Sequence, residues 1–292
     1  MLPTNVHAAV KTVLLFDVYA ILYRALFALP PLSTTSGEPT AALYGLAALL
    51  LKLLREERPA GCAWALDAPS PTFRKQAYAE YKAQRPRLPT FARAGRLDQL
   101  LTASGFPVFA APGFEADDVL ATLCRRLVAG GDQPVVVTGD LDCLQLARAP
   151  VEIHVLIRMQ KAKRYDEAAV RARFGVAPEL MPELRAMTGD PSDNLPGVKG
   201  IGPRTAAQLL ERYRSVAGIL EHRAELSPKV RAALDASADQ LPLWADLSRL
   251  RDDVPLPEGV LEAPFGEAAR TALARLFDEL EFRSLLPRLA AV

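Results

Sequence analysis

The chain has 292 residues, half of them hydrophobic, with 35 basic and 34 acidic residues and a net charge of +1. That length buries a sizeable core in one or two domains, and the composition excludes a disordered chain or a disulfide-stapled module. The three cysteines, Cys62, Cys124 and Cys143, form no CxxC pair and suit a reducing cytoplasm.

No basic segment followed by a long apolar run opens the chain, so no export signal is expected. The most apolar helix candidate, Ala41 to Leu54, is interrupted by Lys52 and falls short of the roughly 20 residues that span a bilayer. Lys11 to Phe16 reads as a buried strand, continuously apolar, that delivers Asp17 at its end. A helix follows over about Ile21 to Leu29, stopped by Pro30 and Pro31, and Ala41 to Arg55 forms the next. Cys62 to Leu66 is a second apolar strand, and it too ends on an aspartate, Asp67.

From Arg74 to Arg96 the chain carries Arg74, Lys75, Lys82, Arg85, Arg87, Arg93 and Arg96 against one acid, Glu80, with Phe73, Tyr78, Tyr81 and Phe91 interleaved. Basic groups that track phosphates and aromatic faces that stack on bases suit a single-stranded nucleic acid; a solvated basic helix face fits the same stretch equally. Phe114 to Leu127 reads as an amphipathic helix with Glu115 and Asp118 on one face near its start and Asp117 beside them. Acids there also suit the positive end of a helix dipole. Pro134 to Thr138 is a third strand running into Asp140 and Asp142.

A fourth strand, Val151 to Leu156, leads to a basic loop with Arg158, Lys161, Lys163 and Arg164, and from Asp166 onward the reading is almost wholly helical. Strands separated by helices imply a parallel sheet, and ligands of such sheets sit beyond the carboxyl ends of the strands. Asp17, Asp67, Asp140 and Asp142 are therefore expected to converge on one edge.

Thr188 to Gly202 reads Thr-Gly-Asp-Pro-Ser-Asp-Asn-Leu-Pro-Gly-Val-Lys-Gly-Ile-Gly. Lys199 is followed by Gly200 and Ile201, which excludes a Walker loop, and a helix rather than a strand precedes, which excludes a dinucleotide fingerprint. What remains is a helix, a glycine hairpin and a second helix opened by Pro203. Such a hairpin grips a sugar-phosphate backbone without reading sequence, and an ordinary turn between helices is the alternative.

Asp17, Asp67, Glu115, Asp117, Asp118, Asp140, Asp142, Asp190 and Asp193 include no histidine or cysteine, so they point to a hard, oxygen-liganded ion, magnesium or manganese rather than zinc. His7, His154 and His222 fall in no metal-ligand spacing. Setting the nine carboxylates aside as ligands leaves 35 basic residues facing 25 acids, a clearly basic surface elsewhere. Clustered carboxylates with two ions suit phosphodiester hydrolysis by activated water.

The ordered set Leu14-Leu15-Phe16-Asp17, Leu66-Asp67 with Phe73-Arg74 and Tyr81-Lys82-Ala83-Gln84-Arg85, Glu115-Ala116-Asp117-Asp118, Thr138-Gly139-Asp140-Leu141-Asp142 and Thr188 to Gly202 resembles the 5′-to-3′ exonuclease domain of bacterial DNA polymerase I, the bacterial branch of the flap endonucleases. The likeness implies a PIN-like (resolvase-like) α/β domain with a parallel sheet flanked by helices over 1–165, a helical arch at about 70–97, and a helical DNA-binding domain over 166–292 with a helix-hairpin-helix at about 180–214. By the same likeness Asp17, Asp67, Glu115 and Asp117 look like ligands of a first magnesium ion, with Asp118 nearby. Asp140, Asp142, Asp190 and Asp193 look like the second group, and manganese is able to substitute.

Lys82 and Arg85, with Arg74 assisting, would contact the scissile or 5′ phosphate. Gly197, Val198, Lys199, Gly200, Gly202, Arg204 and Thr205 would hold duplex DNA, with a potassium ion at the hairpin. The implied enzyme is a monomeric, cytoplasmic, nucleoid-associated 5′ nuclease that removes flaps or RNA primers and works beside a DNA polymerase, with no membrane partner. The sequence departs from the family at Val18, where glycine is usual and the added side chain is expected to crowd the site, and at Leu141, where lysine is common. A DNA-binding relative with a weakened site, and a PIN-like ribonuclease, are the competing readings.

Overall fold

The computed structural model describes residues 10–84, 95–259, 261 and 264–292. His7, Arg85, Arg87, Phe91 and Arg93, and with them the middle of the expected arch, lie outside the described residues. In chain order the elements are β1 (Thr12–Asp17), α1 (Val18–Ala28), α2 (Ala41–Glu57), β2 (Gly61–Ala65), α3 (Phe73–Ala77), α4 (Arg96–Ala103), β3 (Val108–Phe109), α5 (Ala116–Gly130), β4 (Gln133–Thr138), β5 (Glu152–Arg158), β6 (Lys161–Tyr165), α6 (Glu167–Phe174), α7 (Met181–Thr188), α8 (Pro203–Tyr213), α9 (Val216–Glu221), α10 (Pro228–Asp235), α11 (Leu241–Ser248), α12 (Glu267–Glu279) and α13 (Leu286–Ala290). Among the described residues no helix is long and apolar enough to cross a membrane.

The strands form one sheet in the order β3-β2-β1-β4-β5-β6. β1 lies at its centre and pairs in parallel with β2 on one side and β4 on the other. Its apolar run is continuous because both faces are covered, and the strand alternation divides its residues between two cores. Val13 and Leu15 join Ala63, Ala65, Val136 and the apolar face of α5. Leu14 and Phe16 join Cys62, Trp64, Val135, Val137 and the leucines of α2. Helices α7 to α11 cover the first face, while α12 and α13 return to the second through Leu273, Phe277 and Leu289.

The sheet is mixed rather than wholly parallel, because β6 runs antiparallel to β5. Only Met159 and Gln160 separate the two strands, and a two-residue loop joins antiparallel neighbours. Lys161, Lys163 and Arg164, expected in a loop, instead line an exposed edge strand, where charge discourages pairing with another chain. Two boundaries also move: α1 starts at Val18, directly on Asp17, and α5 starts at Ala116 with Glu115 as its N-cap.

β2 and β4 leave β1 on opposite sides, so the strand order reverses beyond its carboxyl end. A crevice opens at such a point, and Asp17 stands in it. The chain after β4 passes close to the first turn of α1: a Cβ at Gly139 would meet the Ala20 carbonyl oxygen at 2.9 Å, so glycine is needed there. Arg24 donates to the Gly139 carbonyl at 3.1 Å and fixes that approach.

Candidate active site

A cleft of 740 Å³ opens beyond the strand ends, lined among others by Asp17, Asp67, Lys82, Glu115, Asp117 and Asp140. Asp17 is held at both carboxylate oxygens, accepting from Ala20 N–H at 3.1 Å and from the Thr138 hydroxyl at 2.6 Å. Asp67 accepts from Ala116 N–H at 2.8 Å, at the first turn of α5. Asp140 accepts from Asp142 N–H at 3.0 Å, and Asp117 from the Cys143 thiol at 3.3 Å.

The glycine hairpin brings the remaining acids. Arg185, on α7, faces Asp142 at 3.2 Å and Asp190 at 3.5 Å. Lys82 faces Glu115 at 3.0 Å and Asp193 at 3.7 Å. The Tyr81 hydroxyl lies 3.0 Å from Glu115 Oε2 and 2.9 Å from Asp193 Oδ2. A phenol carries one proton and donates to one of these oxygens at a time, so the contact is fully satisfied only when the other carboxyl carries a proton.

Burial, with repulsion from Asp67 and Asp140, pushes the Asp17 carboxyl up to about 7 from its ordinary 3.8, against the hydrogen bonds from Thr138 and Ala20. Burial likewise raises Asp117, helped by Asp17 and Asp140, and raises Asp142, where Asp140 outpulls Arg185. Asp193 is raised by burial and by Asp140 in spite of Lys82. Asp140 is thus the charge that all four of these groups feel. For Glu115, Lys82 and Arg74 overcome burial and hold the carboxyl below its usual range; Lys82 is in turn held above its own by Glu115.

An oxygen-only donor set carrying unneutralised negative charge fits hard divalent cations. Among the described residues no three of these acids close on one point as a finished cage. The carboxylates instead accept from the protein donors around them, Asp17 from Ala20 and Thr138, Asp67 from Ala116 and Asp140 from Asp142.

These shifts set an expected pH dependence. A carboxyl raised in the fold keeps its proton where the unfolded chain has lost it, so stability falls as pH rises from about 4 toward 7. His154, buried and lowered, acts in the opposite sense, but equally with and without metal. The gain in Tm from magnesium over chelator is therefore expected to be larger at pH 7.5 than at pH 5, measured by thermal unfolding. A gain independent of pH would dissociate the cluster from cation binding.

Residues 12–175 match the family model of the 5′-3′ exonuclease N-terminal resolvase-like domain, and residues 176–271 that of the 5′-3′ exonuclease C-terminal SAM fold. The chain belongs to the 5′-3′ exonuclease family. Among curated relatives, a 5′-3′ exonuclease of Aquifex aeolicus is 35% identical over 282 residues, covering 94% of this chain and 94% of its own. DNA polymerase I of Mycobacterium leprae is 39% identical over 282 residues, and the match covers 94% of this chain but 31% of that protein. The chain thus spans about a third of the polymerases it matches.

The T5 5′-exonuclease, whose structure is described as holding divalent metal ions (zinc), superposes with a TM-score of 0.68 at 20% identity, over 96% of this chain and all of that one. The catalytic core of Rad2 in complex with DNA substrate gives 0.62 at 16% identity, over 96% of this chain and 92% of that one. At these identities the likeness establishes the fold, a resolvase-like nuclease layer with a SAM-like helical part.

Within this exonuclease frame several sequence expectations change. Arg74 is 1% exposed and donates to Asp118 at 2.6 and 2.7 Å, to Glu115 at 3.2 Å, and to the carbonyls of Leu247 at 2.7 Å and Arg249 at 2.9 Å, so its donors are taken and it is not placed to contact DNA. Asp118, fully buried against it, also accepts from Glu115 and Arg251 N–H groups, which removes it from the candidate metal ligands. Tyr81 is buried beside the carboxylates, and the Phe73 ring already carries the Arg74 and Arg251 guanidinium groups at 4.5 and 5.0 Å from its centroid, so neither is a free stacking platform for a base. Val18 is fully buried in the α2-side core and does not crowd the cleft. Leu141 is half-buried against the opposite core.

In the hairpin, Val198 is buried and donates its N–H to the Met187 carbonyl at 2.8 Å, so neither its side chain nor its N–H faces a ligand. A Cβ at Gly197 would meet Gly189 N at 2.3 Å, so this glycine serves close packing of the hairpin on α7 rather than phosphate approach. Lys199, Gly200, Gly202 and Arg204 are exposed and Thr205 is half-buried at the start of α8. Thr138 and Arg185 orient candidate ligands, a role the sequence reading assigns to neither. Arg185 has no local signature, as it sits in an ordinary last helical turn.

Proposed function

We propose that the protein is a divalent-metal-dependent, structure-selective 5′ nuclease that cuts 5′ flaps, trims DNA from 5′ ends and removes RNA primers from RNA–DNA hybrids. The observation that carries this reading is the Asp140-centred carboxylate cluster at the strand ends with Lys82 beside it. Asp17, Asp67, Glu115 and Asp117 would hold one ion, and Asp140, Asp142, Asp190 and Asp193 a second. Magnesium is the expected metal and manganese a substitute; when bound, such ions supply water activation and charge stabilisation at phosphorus.

The chain's own residues orient that site. Thr138 and Ala20 fix both oxygens of Asp17, and Arg185 aims Asp142 and Asp190. Lys82, which faces Glu115 and Asp193 beside the cleft, would contact the scissile phosphate, and Arg85 would assist it. At the hairpin, Lys199, Gly200, Gly202, Arg204 and Thr205 would hold duplex phosphates, with a potassium ion against the hairpin backbone. Backbone contacts of this kind select DNA structure over sequence and weaken steeply with salt. A monomer in the cytoplasm on the nucleoid, working with a DNA polymerase, is the setting this activity suits.

The competing reading, DNA binding without cleavage, draws on Val18 and Leu141, and both side chains pack on the cores. The test is cleavage of a 5′-labelled flap duplex with magnesium, with manganese and with chelator, beside a blunt duplex and a single strand. Metal-dependent cutting near the flap junction is expected. Tight binding without cutting under either metal would overturn the assignment.

A further inference from the structure

The loop Asp190–Leu195 of the glycine hairpin is closed by an antiparallel bridge, with Asp190 N–H donating to Leu195 O at 2.8 Å and Leu195 N–H to Asp190 O at 2.9 Å. It meets the turn that carries Lys82 at four points. Lys82 N–H donates to the Asp193 carbonyl at 3.1 Å, and Asn194 Nδ2 donates to the Glu80 carbonyl at 2.9 Å. The Tyr81 hydroxyl reaches Asp193 Oδ2, and Lys82 Nζ faces Asp193 Oδ1.

Both partners of this junction are left-handed non-glycine residues, Lys82 at φ 51° and Asn194 at φ 58°. Asparagine tolerates that conformation better than most residues, whereas lysine is disfavoured there. Lys82 therefore needs neighbours that hold its backbone, and the structure supplies them from the hairpin loop. Glycine at 194 would supply the same backbone shape but no side-chain donor, and aspartate would place a carboxylate against the Glu80 carbonyl.

We propose that Asn194 is a positioning residue that acts through Lys82, tying the turn of the phosphate-contacting lysine to the hairpin that grips the duplex. The proposal rests on the nuclease reading above and deepens it. Lys199, Gly200 and Gly202, the exposed residues of the hairpin, lie only a few residues beyond Asn194, and Val198 is anchored to Met187 between them. A duplex seated on the hairpin thereby holds the loop that holds Lys82.

The test compares wild type, Asn194→Gly, Asn194→Asp, Lys82→Ala and the double variant Lys82→Ala/Asn194→Gly. Single-turnover flap cleavage with magnesium is expected to slow about tenfold in both Asn194 variants, the size of one lost hydrogen bond at the site, with flap Kd and Tm little changed. In the Lys82→Ala background Asn194→Gly is expected to add no further loss, because its effect passes through the lysine. Independently of activity and metal, amide exchange at Lys82 should quicken in Asn194→Gly while exchange in α7 stays as in wild type.

Wild-type cleavage and unchanged Lys82 exchange in Asn194→Gly would overturn the proposal, as would an equal loss in both backgrounds or a Kd that rises in step with the lost rate. Lys82→Ala cutting like wild type would instead strike the role of the lysine itself, and the exchange result would still decide whether Asn194 holds it.

Discussion

Arg74→Ala is expected to lower the stability of the fold by about 3–5 kcal/mol, the range for breaking a buried ion pair from one side. The guanidinium grips Asp118 with two parallel bonds and also holds the carbonyls of Leu247 and Arg249, so it joins α3, the start of α5 and the end of α11. Its removal leaves Asp118 charged, fully buried and supported chiefly by the Glu115 and Arg251 N–H groups. Arg74→Lys keeps a charge but not the planar fork, and is expected to lose less. Urea unfolding should show a lower midpoint with an unchanged slope, and Arg74→Ala/Asp118→Ala should fall short of the sum of the single losses. A loss below about 1 kcal/mol in Arg74→Ala, the level of an exposed pair, would mean the contact is not closed as described.

Asp140→Asn is expected to move stability and activity in opposite directions. Asn is nearly isosteric and its Oδ1 keeps the bond from Asp142 N–H, while the charge that raises Asp17, Asp117, Asp142 and Asp193 disappears. In chelator at pH 8 the variant should melt above wild type. Its flap cleavage should fall by at least about 100-fold, the upper end of what groups outside the ligand sphere contribute. Flap binding should be undiminished, since a negative charge near phosphate has been removed. Cleavage near the wild-type rate would take Asp140 out of the chemistry, and unchanged melting would take it out of the centre of the repulsion.

The sequence made the strand ends legible because an apolar run followed by an aspartate has one simple reading: a buried strand stopped where a charge must meet solvent or a ligand. That logic located Asp17, Asp67, Asp140 and Asp142, and the lined cleft bears Asp17, Asp67 and Asp140 together. It failed where partners are far apart in the chain. Arg74 and Asp118 are 44 residues apart, and nothing local in the basic run or in the acidic helix start shows that these two side chains face one another. β6 was hidden by its charges, since a lysine-rich edge strand buries little and looks like a loop. The hairpin glycines read alike by letter, and only the backbone separates Gly197, needed for close packing, from the open Gly200 and Gly202.

The return of α12 and α13 to the far face of the sheet bears on how the protein matures during synthesis. Thr35 N–H bonds Glu281, a contact spanning 246 residues, and Arg96 bonds Glu279 across 183. Until Leu273, Phe277 and Leu289 have left the ribosome, the α2-side core lacks its outer layer, however complete the strands beneath it. Loop closure over such separations is entropically unfavourable and slows folding. A nascent chain therefore carries its acidic cluster, already spaced along three strand ends, well before it has a closed core to hold that cluster rigid.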